Sequence, residues 1–302
     1  MVTPSTLNRA QIGYWRMELG EILITVVSDG TVTRDARQML TGVAEERIDQ
    51  LMDLHYRTPQ MQLSMNMMLI DTGSRITLID AGAGDLFKPE GGLLPQNLKS
   101  AGYDPDSIDD VVLSHIHADH SGGLVNNGAI VFRNAEIHVP SRDLLYFLDE
   151  EVALRAPLRI AHVFRQARAC LGPYVDSGKA RVYEWGQQIV PGITSRAAGG
   201  HTPGHSHLVV ESAGQKLIFL GDTIHVGEVQ FACPCAAIAF DVDPLAAVND
   251  RKRALAEATK EGYWVGFSHV SFPGIGHIRK DGDNFAWVPA PYELTTTPTH
   301  LG

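Results

Sequence analysis

A mixed α/β fold is what this 302-residue sequence predicts, on three observations. Short apolar, β-rich runs alternate with longer stretches of helical periodicity, which supports sheet and helix together. The residues richest in chemistry, from His115 to His269, follow such runs, so one continuous domain over residues 1–302 accounts for their spread better than two small ones. Hydrophobic residues make up 44% of the chain and charged residues 20%, the ordinary balance of a globular protein with a sizeable core.

The elements follow in order. Met1 to Gln11 is polar and reads as a loose arm. Tyr14 to Leu19 alternates weakly, and Glu21 to Ser28 is a strand closed by the turn signal Asp29-Gly30. Arg34 to Tyr56 reads as an exposed helical excursion of mixed charge, with His55 on its surface or behind a site. Gln60 to Ile70 carries Met61, Met65, Met67, Met68 and Leu69, a methionine-rich run that reads as adaptable core. Asp71-Thr72-Gly73 and Ile76 to Asp80 then suggest paired strands around a glycine-containing turn. Gly82 to Gly92 is a glycine-rich loop holding Phe87, Leu94 to Ala101 a short helix, and Asp104 to Asp110 an acidic connector.

Ala135 to Val139 is a strand ended by Pro140. Ser141 reads as the cap of a helix over Arg142 to Glu151, and a second helix spans Leu158 to Leu171. Ala180 to Trp185 and Gly192 to Ala198 are strands. Leu208 to Glu211 and Lys216 to Leu220 form a hairpin around Ser212-Ala213-Gly214. Pro244 to Glu261 is a helix with Leu245, Val248, Leu255 and Ala258 on one side, and Tyr263 to Phe267 is the strand that feeds His269.

The densest chemistry lies between Val111 and Leu124. His115, His117, Asp119 and His120 place four potential metal ligands within six residues, straight after the apolar run Val111-Val112-Leu113. If that strand is still extended at its end, His115 and His117 point the same way, because strand side chains repeat every two residues. Asp119 and His120 then fall in the following turn, where Ser121, Gly122 and Gly123 let the backbone bend into a helix start. Two imidazoles in one direction, with a carboxylate and an imidazole in another, suit two adjacent metal ions better than one. A lone histidine is more often a packed or surface residue; three with an aspartate at this spacing are not explained that way.

His115-x-His117-x-Asp119-His120 after a strand resembles the signature of the metallo-β-lactamase fold superfamily. Gly200-His201-Thr202-Pro203-Gly204-His205 resembles its third-ligand loop, Gly221-Asp222-Thr223 its bridging-aspartate loop, and Ser268-His269 its last ligand. The stretch from His269 to Arg279, with Trp287-Val288-Pro289, is similar to the C-terminal segment of the methyl parathion hydrolase and lactonase subgroup. Gly13-Tyr14, Val27 to Thr31 and Leu86-Phe87 fit that subgroup too. The resemblance covers roughly Ile12 to Tyr292 and makes residues 270–302 a subgroup-specific tail.

The resemblance implies a four-layer αββα sandwich with two divalent metal ions at the edge where both sheets end. Carried over position by position, one ion takes His115, His117 and His201, the other Asp119, His120 and His269, and Asp222 bridges them. Asp119 and Asp222 are then the carboxylates at the reacting centre. Imidazole with carboxylate suits zinc first, and also manganese, iron or cobalt. Asp80 matches the superfamily's Asp-x-Gly position, a carboxylate whose hydrogen bonds fix the histidine loop. His205 props its own loop and, like His207, is not counted among the metal ligands, and His277 orients the C-terminal loop rather than replacing His269. Phe87, Phe147 and Phe164 align with aromatic pocket residues of the subgroup, although Phe147 stands where the subgroup has tryptophan. His138, His162, His225 and His300 carry no signal.

Two divalent ions roughly 3.5 Å apart can share a water and lower its pKa toward about 7. The bridging hydroxide would attack a carbonyl or phosphoryl centre whose oxygen the metals polarise. An apolar, aromatic mouth favours small hydrophobic lactones, aryl esters or phosphotriesters. The expected activity is binuclear metal-dependent hydrolysis of lactones or aryl esters, with organophosphate triesters as main or side substrates. A glyoxalase II-type thioesterase, an iron-dependent oxidoreductase on the same fold and a binding module without turnover are the alternatives.

Composition narrows the partners. The net charge is −10 with no basic block, so a nucleic-acid partner lacks its electrostatic footprint. Cys170, Cys233 and Cys235 make a poor disulfide framework, and Cys233-Pro234-Cys235 lacks the further ligands of a soft metal site; reduced, partly buried thiols are expected. No signal peptide or run of roughly 18 apolar residues is seen, so no membrane span is expected and the cytoplasm is the default location, with an exported, processed mature form as the alternative. Homodimers are common among the relatives, but no interface is legible here.

Overall fold

Two seven-stranded sheets stack face to face in the computed structural model, which describes residues 11–158 and 160–293. The first runs, in spatial as in chain order, β1 (Tyr14–Leu19), β2 (Ile22–Asp35), β3 (Gln60–Asp71), β4 (Ile76–Ile79), β5 (Asp110–Val112), β6 (Glu136–Pro140) and β7 (Ala180–Tyr183). Neighbours from β1 to β4 are antiparallel and those from β4 to β7 parallel. The second runs β8 (Gln188–Val190), β9 (Ile193–Ala197), β10 (Ser206–Ser212), β11 (Gln215–Phe219), β12 (Trp264–Gly266), β13 (Ile275–Asp281) and β14 (Asn284–Pro289), again in chain order. Its one parallel pair is β11 with β12.

Helices cover the two outer faces. The chain forms α1 (Ala36–Met39), α2 (Glu45–Leu54), α3 (Leu94–Ser100), α4 (Ala118–Ser121), α5 (Ser141–Leu148), α6 (Glu150–Arg155), α7 (Ala161–Asp176), α8 (Gly227–Gln230) and α9 (Pro244–Glu261). Strand alternation divides the core. Met61, Leu63, Met65, Met67 and Leu69 of β3 pack with Ile48 and Met52 of α2, Leu98 of α3, Phe147 of α5 and Phe164 of α7. Met68 and Ile70 join Ile24, Val26 and Val112 against Ile193, Leu208, Val210, Leu217 and Phe219 of the second sheet. On the far side of that sheet, Val209, Ile218 and Val265 pack on Ala254, Leu255 and Ala258 of α9. Helices, sheet, sheet and helix make the anticipated αββα layering, and the methionine-rich run feeds two of its three interfaces.

Several boundaries differ from the sequence reading. Arg34 to Tyr56 is not one helical excursion: β2 stays paired with β3 as far as Asp35 opposite Gln60, and only then does the chain turn into α1 and α2. His55 is exposed at the end of α2, as expected of a surface residue. The helix expected over Arg142 to Glu151 is two, because the Asp149 side chain accepts from Glu151 N and Val152 N and starts α6 afresh. Ser141 opens α5 without capping it through its side chain. Leu245 is 71% exposed, and α9 instead buries Ala247, Asp250, Arg251 and Ala254 beside Leu255 and Ala258. The arm at Met1 to Gln11 lies outside the described residues except for Gln11, as does His300. No described helix is long and apolar enough to cross a membrane.

Candidate metal centre

The candidate ligands leave strand ends at one edge of the sandwich. β4 delivers Asp80, β5 the loop of His115 to His120, β11 Asp222 and β12 His269, while His201 lies between β9 and β10. Two glycines make the approach possible. A Cβ on Gly123 would stand 1.9 Å from the Ala81 carbonyl oxygen. Gly221 has φ +52°, and a Cβ there would meet His205 Nε2 at 2.7 Å.

All seven candidates meet. β5 stops at Val112, yet His115 Nε2 and His117 Nδ1 converge to 3.1 Å, and His117 Nδ1 lies 3.0 Å from His201 Nε2. Asp222 stands between two groups: its Oδ2 is 3.2 Å from His201 Nε2 and 3.2 Å from His269 Nε2, and its Oδ1 is 3.2 Å from His120 Nε2. Asp119 Oδ2 lies 3.5 Å from His269 Nε2. The donor atoms of His115, His117, His201 and Asp222 all fall within 4.8 Å of one another, as do those of Asp119, His120 and His269.

This set fits divalent cations. His120 Nε2 and Asp222 Oδ1 are buried and have no hydrogen-bond partner, despite their closeness. Unpaired buried polar atoms and converging ring nitrogens cost free energy unless a cation lies among them. Burial pushes the His115 imidazole well below its ordinary range and His117 down to about 3, with His201 adding to the second shift. Both rings are then neutral at pH 7, the state in which imidazole ligates a metal. Asp222, by contrast, outweighs burial and raises His120, His201 (to about 9, with Asp241) and His269, whose protons a bound cation would displace.

A ring of contacts aims the donors. Asp80, in a left-handed conformation at φ 61°, accepts from Ser114 N and Oγ at 2.7 and 2.8 Å and meets His120 Nδ1 at 2.8 Å. His205 Nε2 accepts from Asp222 N at 3.1 Å. His207 meets Thr223 Oγ1 and Asp250 further out, and His277 packs on Trp264, away from the donors. None of the three cysteines belongs to a donor group among the described residues.

The sequence reading missed four contributors. Asp143 of α5, buried, accepts from Ile116 N at 2.9 Å and Thr202 Oγ1 at 2.8 Å, and also from Gly204 N, so one carboxylate binds two ligand loops. Asp241 Oδ1 lies 2.8 Å from His201 Nδ1. Asn66 ties the His269 loop to β3. His225, set aside in the sequence reading, has Nε2 3.1 Å from Asp222 Oδ2 and its ring stacked on His269. The spacing Asp222-x-x-His225 could have marked it; nothing in the sequence marks the other three.

A cavity of about 440 Å³ opens over the donors, and Phe87, Phe147 and Phe164 line it together with Tyr146, Arg34 and Phe240. The family model described as the metallo-beta-lactamase superfamily matches residues 62–261. The chain belongs to the metallo-beta-lactamase superfamily. Among curated members, N-acyl homoserine lactonase AiiA of Bacillus thuringiensis subsp. kurstaki is 28% identical over 214 residues, 67% of this chain and 76% of that protein. The solved structure of hydrolase AbOPH in the beta lactamase superfamily superposes with a TM-score of 0.90 at 29% identity, covering 94% of this chain and all (100%) of that one. The dizinc quorum-quenching lactonase AidC shares the fold, with a TM-score of 0.87 at 24% identity over 93% of this chain and 99% of that one. Within the superfamily this chain is a metal-dependent hydrolase.

Proposed function

We propose that this hydrolase opens lactones and cleaves aryl esters at a two-metal centre, with N-acyl homoserine lactones as the first substrates to try. The carrying observation is the convergence of seven histidine and aspartate donors at the floor of an aromatic-walled cavity. His115, His117 and His201 hold one cation in this reading, Asp119, His120 and His269 the other, and Asp222 serves both. Bound there, a pair of divalent cations, zinc first, supplies Lewis-acid polarisation of the scissile carbonyl and acidifies water.

The chain's own groups do the rest. Asp119 is 19% exposed at its side chain and lines the cavity, so its carboxylate is placed to take a proton and return it to the leaving oxygen. His225 lines the same floor and, with Nε2 3.1 Å from Asp222 Oδ2, orients that carboxylate. Phe87, Phe147, Phe164 and Tyr146 exclude water and seat an apolar group. The names of the curated relatives support the lactone.

The test is kcat/KM on one zinc-replete preparation for N-hexanoyl homoserine lactone, dihydrocoumarin and methyl paraoxon. A lactone preference of about a hundredfold over the phosphotriester, about 2.7 kcal/mol at the transition state, is expected. The reverse ratio would make phosphotriesters the main substrates and overturn this reading.

A further inference from the structure

One side chain in the cavity wall does not fit an apolar mouth. Arg34 is the sole arginine or lysine lining the cavity among the described residues. It comes from the end of β2, half-buried, with its guanidinium over the Phe87 ring at 5.6 Å from the centroid. Arg37, Arg75, Arg133 and Arg196 each grip a carboxylate with two nitrogens. Arg34 makes no ion pair within 4.0 Å among the described residues. Its Nη1 donates to the Thr33 carbonyl at 2.9 Å, which leaves about four of a guanidinium's five N–H donors without a protein acceptor. Glu90 feels its charge but is held elsewhere, by Thr33 N and Oγ1 at 3.1 and 2.8 Å.

A fixed, half-buried fork with spare donors matches a carboxylate in shape and charge. The neighbouring wall is Val32, Leu63 and Phe87, which offers nothing else polar. Because this wall and the floor residues His117, Asp119 and Asp222 line one cavity, a substrate with its ester at the floor can lay its other end here. We propose that Arg34 is a specificity residue that takes a carboxylate carried by the ester or lactone at the end remote from the scissile carbonyl. This rests on the hydrolase reading above and narrows its substrate class.

The apolar wall alone would select the opposite way, because an unpaired carboxylate buried there is costly. The comparison is therefore between mono-4-nitrophenyl adipate and its neutral isostere 4-nitrophenyl 6-methylheptanoate, read as a ratio of kcat/KM on the zinc-loaded protein. The wild type should favour the charged ester by about tenfold or more. The ratio should fall below one in Arg34→Met and be partly kept in Arg34→Lys, a pattern that loss of packing on Phe87 does not produce. Calorimetry of the zinc-loaded protein with free adipate and 6-methylheptanoate should give the same order of affinity, again reversed in Arg34→Met. A wild-type preference for the neutral ester, or a ratio that both Arg34→Met and Arg34→Gln leave unchanged, overturns the proposal. If adipate binds through Arg34 but neither ester turns over, the hydrolase reading falls and the carboxylate site stands. If both esters turn over without a charge preference, the reverse holds.

Discussion

His269 Nδ1 lies 2.7 Å from the Ser64 carbonyl oxygen, across 205 residues of chain. The last candidate ligand, on the second sheet, is thus aimed by a backbone oxygen of the first. Asn66 secures the same junction: its Nδ2 donates to Phe267 O and Val270 O at 3.1 and 2.7 Å, and its Oδ1 accepts from Ser64 Oγ at 2.7 Å.

Asn66→Ala should leave two buried carbonyls unpaired and cost about 2 kcal/mol of stability. It should also loosen the His269 loop and weaken zinc binding by about tenfold. Denaturant melts and titration against a chromogenic chelator read the two effects separately. A stability loss with unchanged zinc affinity would confine Asn66 to the fold.

Asp241 holds His201 by the nitrogen turned away from the donor cluster. Asp241→Asn should therefore lower zinc affinity by about 10–100-fold while the fold persists. Equal affinity in variant and wild type would show that His201 needs no such partner.

Asp222 is within 3.2 Å of donors from both ligand groups. Asp222→Asn should lower metal content and activity together, as measured by elemental analysis and lactone turnover on the same sample. Full activity with two metals per chain would rule out its shared role.

Arg251 is 1% exposed, and its guanidinium donates to the carbonyls of Thr223, Ala236 and Pro234 at 2.6, 2.7 and 3.3 Å. It thus braces the loop that follows Asp222. Arg251→Met keeps much of the volume but strands the carbonyls of Thr223 and Pro234, that of Ala236 keeping Gln230 Nε2 at 3.0 Å, and should cost about 2–3 kcal/mol. A change below about 1 kcal/mol in a denaturant melt would mean that water replaces those bonds.

Asp110 is buried and is met by Arg75 and His138. Burial by itself raises its carboxyl, and the two partners outweigh it, holding the pKa below the ordinary 3.8. The fold therefore favours the carboxylate. That stability is present above about pH 4 and is lost as pH falls through the lower folded value. The stability gap between wild type and Asp110→Asn should be widest at neutral pH and shrink on acidification toward about pH 3. A gap that grows in acid would contradict the pairing.

Local pattern carries far in this chain. The His115 to His120 cluster and most strands are legible because each is a short run whose spacing reflects one strand end or turn, while the loops of His201, Asp222 and His269 are legible through their resemblance to the superfamily's motifs. Arg34 was misplaced because mixed charge looks like a solvated helix; its true setting depends on β2 pairing with β3, a partner beyond the reach of periodicity. Leu245 was misplaced because helical periodicity gives a stripe but not which neighbour it meets.

By itself the sequence determined the mixed α/β class and marked the His115 to His120 cluster, properties of residue type and short-range spacing, while its resemblance to the superfamily nominated His201, Asp222, His269 and the pocket phenylalanines as candidates. Only the tertiary structure decided what aims those donors. Ser64 meets His269 and Asn66 the carbonyls of Phe267 and Val270 across the gap between sheets, Asp143 joins loops 27 and 59 residues away from it, and Asp241 reaches back 40 residues to His201. Hydrogen bonds of that kind form because stacking two sheets brings their loop ends to one edge, and no local periodicity encodes which side chain will then stand opposite which.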